Sequence, residues 1–332
     1  MTFIMKKKSY KLQQYLIALC FILSINFLIP RLMPGDPFTF LSSDEGQVNS
    51  VFAQEDIEKY KAYYGLDKPM IAQAGSYIKN LLKGDLGYSI FYKEKVAKII
   101  VDRLGWTFFI VISASFLSAL FGIAFGCISA YYKGSSLDKL LNFLFVALSE
   151  IPSFLIGLLL LFIFAANLKW FPLSGGMTHF SEGGSLTFNL YDKIRHAVLP
   201  VTSLAIAMMG HYYLLSRASL IKVMDKAYIK TAKAKGLKNH RVLFVHGLKN
   251  ALLPMVTHFF MNMGTMMGGA VLVENVFKYP GLGTMMRSAI AMRDYTLIQG
   301  IFLFMTVIVL AMNYFADRVY KQIDPRIRES LR

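Results

Sequence analysis

Charged residues are scarce in this chain, and acidic residues are scarcer than basic ones. Asp, Glu, Lys and Arg make up 17% of the 332 residues, with 20 acids against 36 bases. A typical soluble domain has about 25% charged residues, so this composition excludes an ordinary soluble protein. Hydrophobic residues make up 55% and the mean hydropathy is +0.46. We therefore expect an all-α integral membrane protein.

Cysteine is nearly absent. The two cysteines, Cys20 and Cys127, both lie inside apolar runs. Such positions exclude a disulfide framework and a cysteine-based metal site. We interpret both as small hydrophobic residues in the bilayer and predict no metal ligands in this chain.

Signature motifs of several enzyme classes are also missing. The sequence contains no G-x-x-x-x-G-K-[ST] loop, so the chain cannot cradle nucleotide phosphates in that way. It contains neither H-E-x-x-H nor G-x-S-x-G, which argues against a zinc protease and a serine hydrolase. We predict that the chain is not an enzyme and has no catalytic residues.

Six apolar stretches are long enough to cross the hydrocarbon core, which takes roughly 20 helical residues. They lie near residues 12–29, 107–131, 140–164, 198–215, 251–273 and 298–315. The first follows the basic start "MKKKSYK" and has no small-x-small cleavage site after it. We therefore expect it to remain as the first of six transmembrane helices.

The distribution of Lys and Arg predicts the orientation of these spans. With the N-terminus inside, the cytoplasmic segments carry 20 basic residues against five acids, and the outer segments carry 16 against 14. Basic residues are retained on the cytoplasmic side, so both termini are predicted to be cytoplasmic. Anionic lipid heads account for the net charge of +16 without any nucleic acid.

This topology divides the chain into four parts. Residues 1–30 form the cytoplasmic N-terminus and first span, and a long extracytoplasmic segment follows over 31–106. Residues 107–315 form the core of spans 2–6, which includes a cytoplasmic loop at 216–250, and 316–332 form a cytoplasmic tail. Even charge mixing and turn signals predict short helices in the outer segment.

The loop at 216–250 is the most basic part of the chain, with nine Lys or Arg against one Asp. Good helix formers over 225–235 end at Gly236 and Leu237, a pattern typical of a helix stop. Asn239 is a predicted N-cap for a second short helix over 240–248. We expect a glycine elbow, with small Ala232 and Ala234 where a partner could approach. A pair of interfacial helices on anionic lipid is the alternative.

Ionisable groups inside the predicted spans are candidates for the lining of a polar path, because charge in hydrocarbon is costly. Glu150 lies about ten residues into the third predicted span, and His211 and His258 lie in the fourth and fifth. We predict that these three residues line a translocation path and that Glu150 pairs with His211. The alternative is a Glu150 that packs, hydrogen-bonded, between helices.

The loop and eight further stretches resemble one family. "AYIKTAKAKGL" followed by "HGLKNALLP" is similar to the EAA loop of ABC-importer permeases of the oligopeptide, dipeptide and nickel group. The stretches "PRLMPGDP", "YGLDKP", "LLKGDLGYS", "IPSF", "RHAVLP", "ENVFKYPGLG", "RDYTLIQG" and "DPRIR" resemble the B-type permease of that group in the same order. In the general motif, Lys230, Thr231 and Ala232 occupy the Glu-Ala-Ala positions and Gly236 the glycine.

The resemblance implies a type I ABC importer permease fold and a set of partners. It implies a second, C-type permease, two cytoplasmic ATPases and an extracytoplasmic substrate-binding protein or lipoprotein. ATP and Mg would be used by the ATPases, and this chain would bind no cofactor. The residues implied to couple to the ATPases are Asp225, Ala227, Tyr228, Lys230, Thr231, Ala232, Ala234, Gly236, Leu237 and Arg241. The chain would lie in a prokaryotic plasma membrane.

The resemblance favours oligopeptides or dipeptides as substrates and leaves nickel or other metal complexes and glycosides as alternatives. A proton-coupled secondary transporter is a weaker alternative. It fits less well because Glu150 is the single acid inside the predicted spans and the two halves of the chain show no visible repeat.

Overall fold

The computed structural model describes residues 17, 20–32, 58, 67–178, 186–238 and 241–323. In this part of the chain the regular structure is helical, apart from one isolated antiparallel bridge between Tyr88 and Lys95. The α-helices are α1 (Cys20–Leu32), α2 (Met70–Leu82), α3 (Val96–Tyr131), α4 (Ser136–Ser149), α5 (Ser153–Leu160), α6 (Leu186–Met224), α7 (Ala227–Ala234), α8 (Leu253–Phe277), α9 (Leu282–Ala291) and α10 (Tyr295–Ile323). The all-α prediction is confirmed for these residues.

Within the described residues, four stretches of helix are long and apolar enough to cross a membrane. They are Val96–Tyr131, Thr187–Met224, Val245–Phe277 and Tyr295–Ala316. Each contains one of the predicted spans and extends beyond it, because a helix continues past the hydrocarbon core into residues that are too polar to count as apolar. Helix α1 is apolar but shorter, and much of the predicted span at 12–29 lies outside the described residues.

The third predicted span is not one straight helix. Residues Ser136–Ser149 and Ser153–Asn167 form two helices bent by 99°, and Leu161–Asn167 is a π-helical continuation of α5. Pro152 lies at the break, as the N-cap of α5. Proline lacks an N–H donor and disfavours the helical conformation in the residue before it, here Ile151. The expectation of a continuous helix over 140–164 was therefore wrong.

The chain divides into two compact units, residues 1–105 with 284–307 and residues 106–283 with 308–332. In the second unit, α6 packs against α4, α5 and α8. Gly122 and Gly126 allow α3 to approach this helix closely. A Cβ atom on Gly122 would lie 2.6 Å from the Met209 carbonyl oxygen, and one on Gly126 would collide with Ser216. These small residues therefore pack helices within the chain.

In the first unit, polar contacts fasten α1 to its neighbours. The Asn26 amide donates to the Gln299 carbonyl at 3.0 Å and to the Tyr77 hydroxyl at 3.2 Å. Asn26 is buried, so both contacts satisfy a donor that would otherwise be costly. Close packing also occurs at Gly300, where a Cβ atom would collide with the Val96 side chain.

Candidate functional site

The basic segment after α6 folds into a short helix that ends at a glycine. Helix α7 covers Ala227–Ala234, shorter than the predicted 225–235, because Asp225 and Lys226 form the turn that precedes it. Gly236 has a φ of +78°, and the Leu237 N–H donates to the Ala232 carbonyl at 3.4 Å. This geometry is a left-handed helix cap. The predicted helix stop at Gly236 is confirmed.

A small apolar cluster holds α7 in place. Ile229, Ala232 and Val242 are buried together, and Met224 and Leu237 pack against them. Ala232 is only 8% exposed, so this chain already covers most of its surface, and its contact with a partner stays a prediction. The position is small because α7 must lie close to Val242 of the same chain. Ala234, by contrast, is exposed.

The second predicted helix is not a separate surface helix. Val242–Leu248 is π-helical and continues through Lys249–Ala251 into α8. Pro254 does not break this run, because it lies in the first turn of α8, where a missing N–H leaves no intrahelical bond unmade. The predicted helix over 240–248 was therefore wrong as an independent element, and the proposed N-cap, Asn239, lies outside the described residues.

Most of the predicted coupling residues are exposed. Tyr228 is 45% exposed, and Leu237 is half-buried against the apolar cluster. The exposed members of the predicted set are Asp225, Ala227, Tyr228, Lys230, Thr231, Ala234, Gly236 and Arg241. The exposed set includes two cations, Lys230 and Arg241, and one aromatic ring, Tyr228.

The predicted pairing of Glu150 with His211 is not seen in the part of the chain that the structure describes. Glu150 is the C-cap of α4, exposed in the bend rather than within a helix, and His211 on α6 is exposed. No salt bridge joins Glu150 to His211 among the described residues. His258 is half-buried, with its Nε2 3.0 Å from the Asn262 amide and its ring edge-on to Tyr212. Their role in a path stays a prediction.

Sequence reasoning missed a buried acid, Glu274, near the end of α8. Its side chain is 0% exposed and accepts hydrogen bonds from the Thr107 hydroxyl and the Gly283 N–H, both at 2.6 Å. The Leu282 N–H donates in turn to Thr107 Oγ1 at 2.8 Å. Glu274 and Thr107 therefore accept hydrogen bonds from two N–H groups at the start of α9, where backbone donors have no partner within the helix.

The turn that precedes α9 is shaped around this carboxylate. A Cβ atom on Gly281 would collide with the Glu274 side chain, and one on Gly283 would collide with the backbone of Val271. Tyr279 in the same turn is buried, and burial together with the nearby Glu274 charge raises the pKa of its phenol. In the stretch "PGLG", Pro280 and Gly281 thus form the bend before α9 and Leu282 and Gly283 begin the helix, and the acid six residues before Pro280 was the signal overlooked.

Two more acids, Asp294 and Asp138, accept hydrogen bonds from other parts of the chain. Asp294 accepts from the Ser89 hydroxyl and from the N–H groups of Phe91 and Leu297, so it also caps α10. Asp138 makes a two-point ion pair with Arg217, at 2.8 and 2.9 Å. A cap signal was readable from the sequence at Asp294, because an apolar helical run follows it. The pairing of Asp138 with Arg217 joins residues 79 apart and had no local signal.

The extended helices also change the count of acids in the candidate spans. Asp102, Asp192 and Glu274 lie within the candidate stretches but outside the shorter predicted spans, so the prediction that Glu150 is the single acid in those spans is unaffected. Asp192 accepts from the Thr178 N–H and hydroxyl at 2.6 and 2.8 Å. Asp192 and Glu274 are both held by internal hydrogen bonds, which is a structural arrangement.

Comparisons with known proteins agree with the helical architecture. Residues 122–329 match the family described as "Binding-protein-dependent transport system inner membrane component". The chain is 36% identical over 324 residues to the oligopeptide transport system permease protein AppB of Bacillus subtilis, covering 96% of this chain and 99% of that protein. It is 33% identical over 311 residues to the glutathione transport system permease protein GsiC of Pectobacterium atrosepticum, covering 94% and 95%.

A solved structure shares the fold. The crystal structure of an amino acid ABC transporter with histidines superposes with a TM-score of 0.50 at 14% sequence identity, over 68% of this chain and 94% of that chain. The relatives are permeases, so this chain is a transport subunit rather than an enzyme. It belongs to the family of binding-protein-dependent transport system inner membrane components, the permease subunits of ABC importers.

Proposed function

We propose that this permease imports small peptides and that α7 with the turn at Gly236 is its coupling site for an ATPase. Relatives that align with nearly the whole chain are permeases for oligopeptides and for glutathione, a tripeptide thiol. The shared ligand chemistry is a flexible chain of peptide bonds with charged ends. Metal complexes and glycosides are the alternative cargoes and require only a different path lining.

The proposed assembly contains this chain, a second permease of the C type, two cytoplasmic ATPases and an extracytoplasmic binding protein or lipoprotein. In this arrangement the chain has six spans, an outer segment at 31–106, both termini in the cytoplasm and the loop 216–250 against an ATPase. The basic excess of that loop supports the orientation. ATP and Mg are bound by the ATPases, and this chain binds no cofactor. Glu150, His211 and His258 are proposed to line the path.

The observation that carries the coupling proposal is the anchoring of α7. Ile229 is fully buried, while Tyr228 and Lys230 on the same helix are exposed. A helix fixed on one face and open on the other transmits the movement of a docked partner to the helices behind it. The route runs through Met224 into α6 and through Val242 into the helix that leads to α8.

The test is ATP hydrolysis by the reconstituted complex, with its ATPases and binding protein, in the presence of a mixed peptide pool. We expect peptides to stimulate hydrolysis in the unsubstituted complex and to fail in Gly236→Val. Gly236 has open space around it, so valine strains only the backbone, by about 1–2 kcal/mol at a positive φ. Gly236→Asn should retain stimulation, since asparagine tolerates this conformation.

Gly134→Val is the matched control. Gly134 also has a positive φ, +85°, and open space around it, but it lies in the turn between α3 and α4. The control complex should keep peptide stimulation. Equal loss in both variants would mean that backbone strain, and not α7, causes the effect. Stimulation by metal complexes or glycosides alone would overturn the peptide assignment and leave the coupling assignment intact.

A further inference from the structure

Helix α2 is amphipathic in an unusual sense, with its apolar side turned outward. Ile71 is 88% exposed, Leu82 is 84% exposed and Ile78 is 50% exposed. At 3.6 residues per turn, these three side chains project within about 40° of one another. None of the thirteen residues of α2 is buried. A water-facing helix with this stripe would expose a continuous apolar surface at high cost.

The opposite side of α2 is polar and turned toward the chain. Gln73 and Asn80 project roughly 160–180° away from Ile71. The Arg31 guanidinium donates to Gln73 at 2.8 Å, and the Tyr77 hydroxyl accepts from Asn26 at 3.2 Å. The same polar side of α2 lines a cavity of about 450 Å³, together with Arg31. The ordinary pattern of a soluble amphipathic helix is therefore reversed.

Helix α2 is fastened to the end of a helix that itself presents apolar residues outward. On α1, Phe21 is 65% exposed and Leu32 is 67% exposed. The tie from Arg31 to Gln73 joins the two helices one residue before α1 ends. In a membrane permease the exposed side of such a helix faces lipid, so the outward stripe of α2 continues a lipid-facing surface.

Basic residues flank the stripe on one side. Lys79 and the C-cap residue Lys83 project about 80–120° from Ile71, on the same edge of the helix. A helix that lies in the plane of a membrane interface has this arrangement, with apolar residues in the acyl region and lysines at the anionic headgroups. The position at the end of the apolar helix α1, the reversed faces and the lysine edge all favour membrane lipid as the molecule that covers the stripe.

We propose that α2 lies in the membrane interface, with Ile71, Ile78 and Leu82 in the lipid and its polar side roofing the aqueous cavity. The chain would thus present a lipid-contacting helix outside its spans, which keeps the cavity open to water while sealing it from lipid. The proposal needs only membrane insertion of α1 and is independent of the transported substrate.

The test is site-directed spin labelling of the complete importer in nanodiscs of phosphatidylethanolamine and phosphatidylglycerol. Single cysteines would be placed at Ile71, Ile78 and Leu82, and at Ser76 and Asn80 as matched controls on the other side of α2. Cys20 and Cys127 would first be replaced by alanine. Collisions with oxygen, which concentrates in lipid, and with a water-soluble nickel chelate would be compared at each position.

We expect high oxygen and low nickel collision rates at the three apolar positions. At Ser76 and Asn80 we expect lower oxygen and higher nickel collision rates. Access of the nickel chelate to all five positions would place α2 in water and overturn the proposal. Low access of both reagents at the apolar positions would mean that a protein covers the stripe, which would also overturn it. The labels report in the absence of transport, so a wrong substrate assignment would leave this result unchanged.

Discussion

Charge is placed in opposite ways in two parts of this permease. Glu274 is buried and hydrogen-bonded to groups far away in the sequence, whereas Lys230 and its neighbours on α7 are exposed around a small apolar anchor. A buried charge must be fully satisfied, so its partners are fixed by the fold. An exposed cation on an anchored helix is available to another molecule. Substitutions in the first region should change stability, and substitutions in the second should change coupling.

The largest effect is expected for Glu274→Ala. It removes the acceptor for Thr107 and for the Gly283 N–H, and unpaired buried donors cost roughly 2–4 kcal/mol of folding free energy in total. A lower midpoint in thermal unfolding of the purified complex would measure this loss. Glu94→Ala is the control, since Glu94 is partly exposed and its ion pair is with Lys98, one turn away. A similar loss in the control would remove the distinction between buried and surface acids.

The next largest effect is expected in α7, at the buried residue that anchors its exposed cations. Ile229→Ala should cost about 2 kcal/mol locally, because it opens the cluster under α7. We expect peptide-stimulated ATP hydrolysis to fall while the global unfolding midpoint changes little. Val245→Ala, an exposed apolar position, serves as the comparison and should leave hydrolysis unchanged. Normal coupling in Ile229→Ala would show that the anchor is dispensable.

A smaller, specific effect is expected for Glu150→Gln. Glu150 is exposed in the bend between α4 and α5, so neutral glutamine should assemble normally. If the carboxylate lines the path and attracts the charged amine of a peptide, uptake into proteoliposomes should slow severalfold. Uptake at the rate of the unsubstituted complex would remove Glu150 from the path.

The smallest effect is expected for Lys230→Ala. An exposed side chain without a fixed partner contributes at most about 0.5 kcal/mol to stability. We also expect stimulated ATP hydrolysis to remain, because coupling through α7 depends on packing more than on charge. A marked loss of stimulation with normal stability would show that this cation contacts the ATPase directly. Lys230 and Glu274 would then both be essential and would differ only in whether the partner lies in another protein or in this chain.

Local signals explain what the sequence could predict. Apolar length predicted the positions of the long helices, and Gly236 followed by Leu237 predicted the end of α7, because both depend on residues close together in the chain. Pro152 also carried a readable break signal, which apolar length overrode in the prediction of one span over 140–164. A hydropathy average depends only on how apolar the residues are, so it does not detect a proline that lacks the N–H needed to continue a helix.

Long-range contacts explain the rest. The roles of Glu274 and Asp138 depend on Thr107 and Arg217, which are 167 and 79 residues away in the sequence. Ala232 fits both an open docking position and a tight internal contact, and only the position of Val242 decides between them. In the sequence analysis these acids served only to predict which side of the membrane each segment faces, because a count of charges carries no information about their hydrogen-bond partners.

The turn at Gly281 makes residue identities at two positions interdependent. The Glu274 carboxylate fills the space that any side chain at 281 would need. Gly281→Ala should therefore be damaging alone and should be partly rescued by a shorter acid, Glu274→Asp, which draws the carboxylate back. In variants of this permease, residues 274 and 281 should consequently change together, as a correlated pair, while either remains intolerant of change by itself.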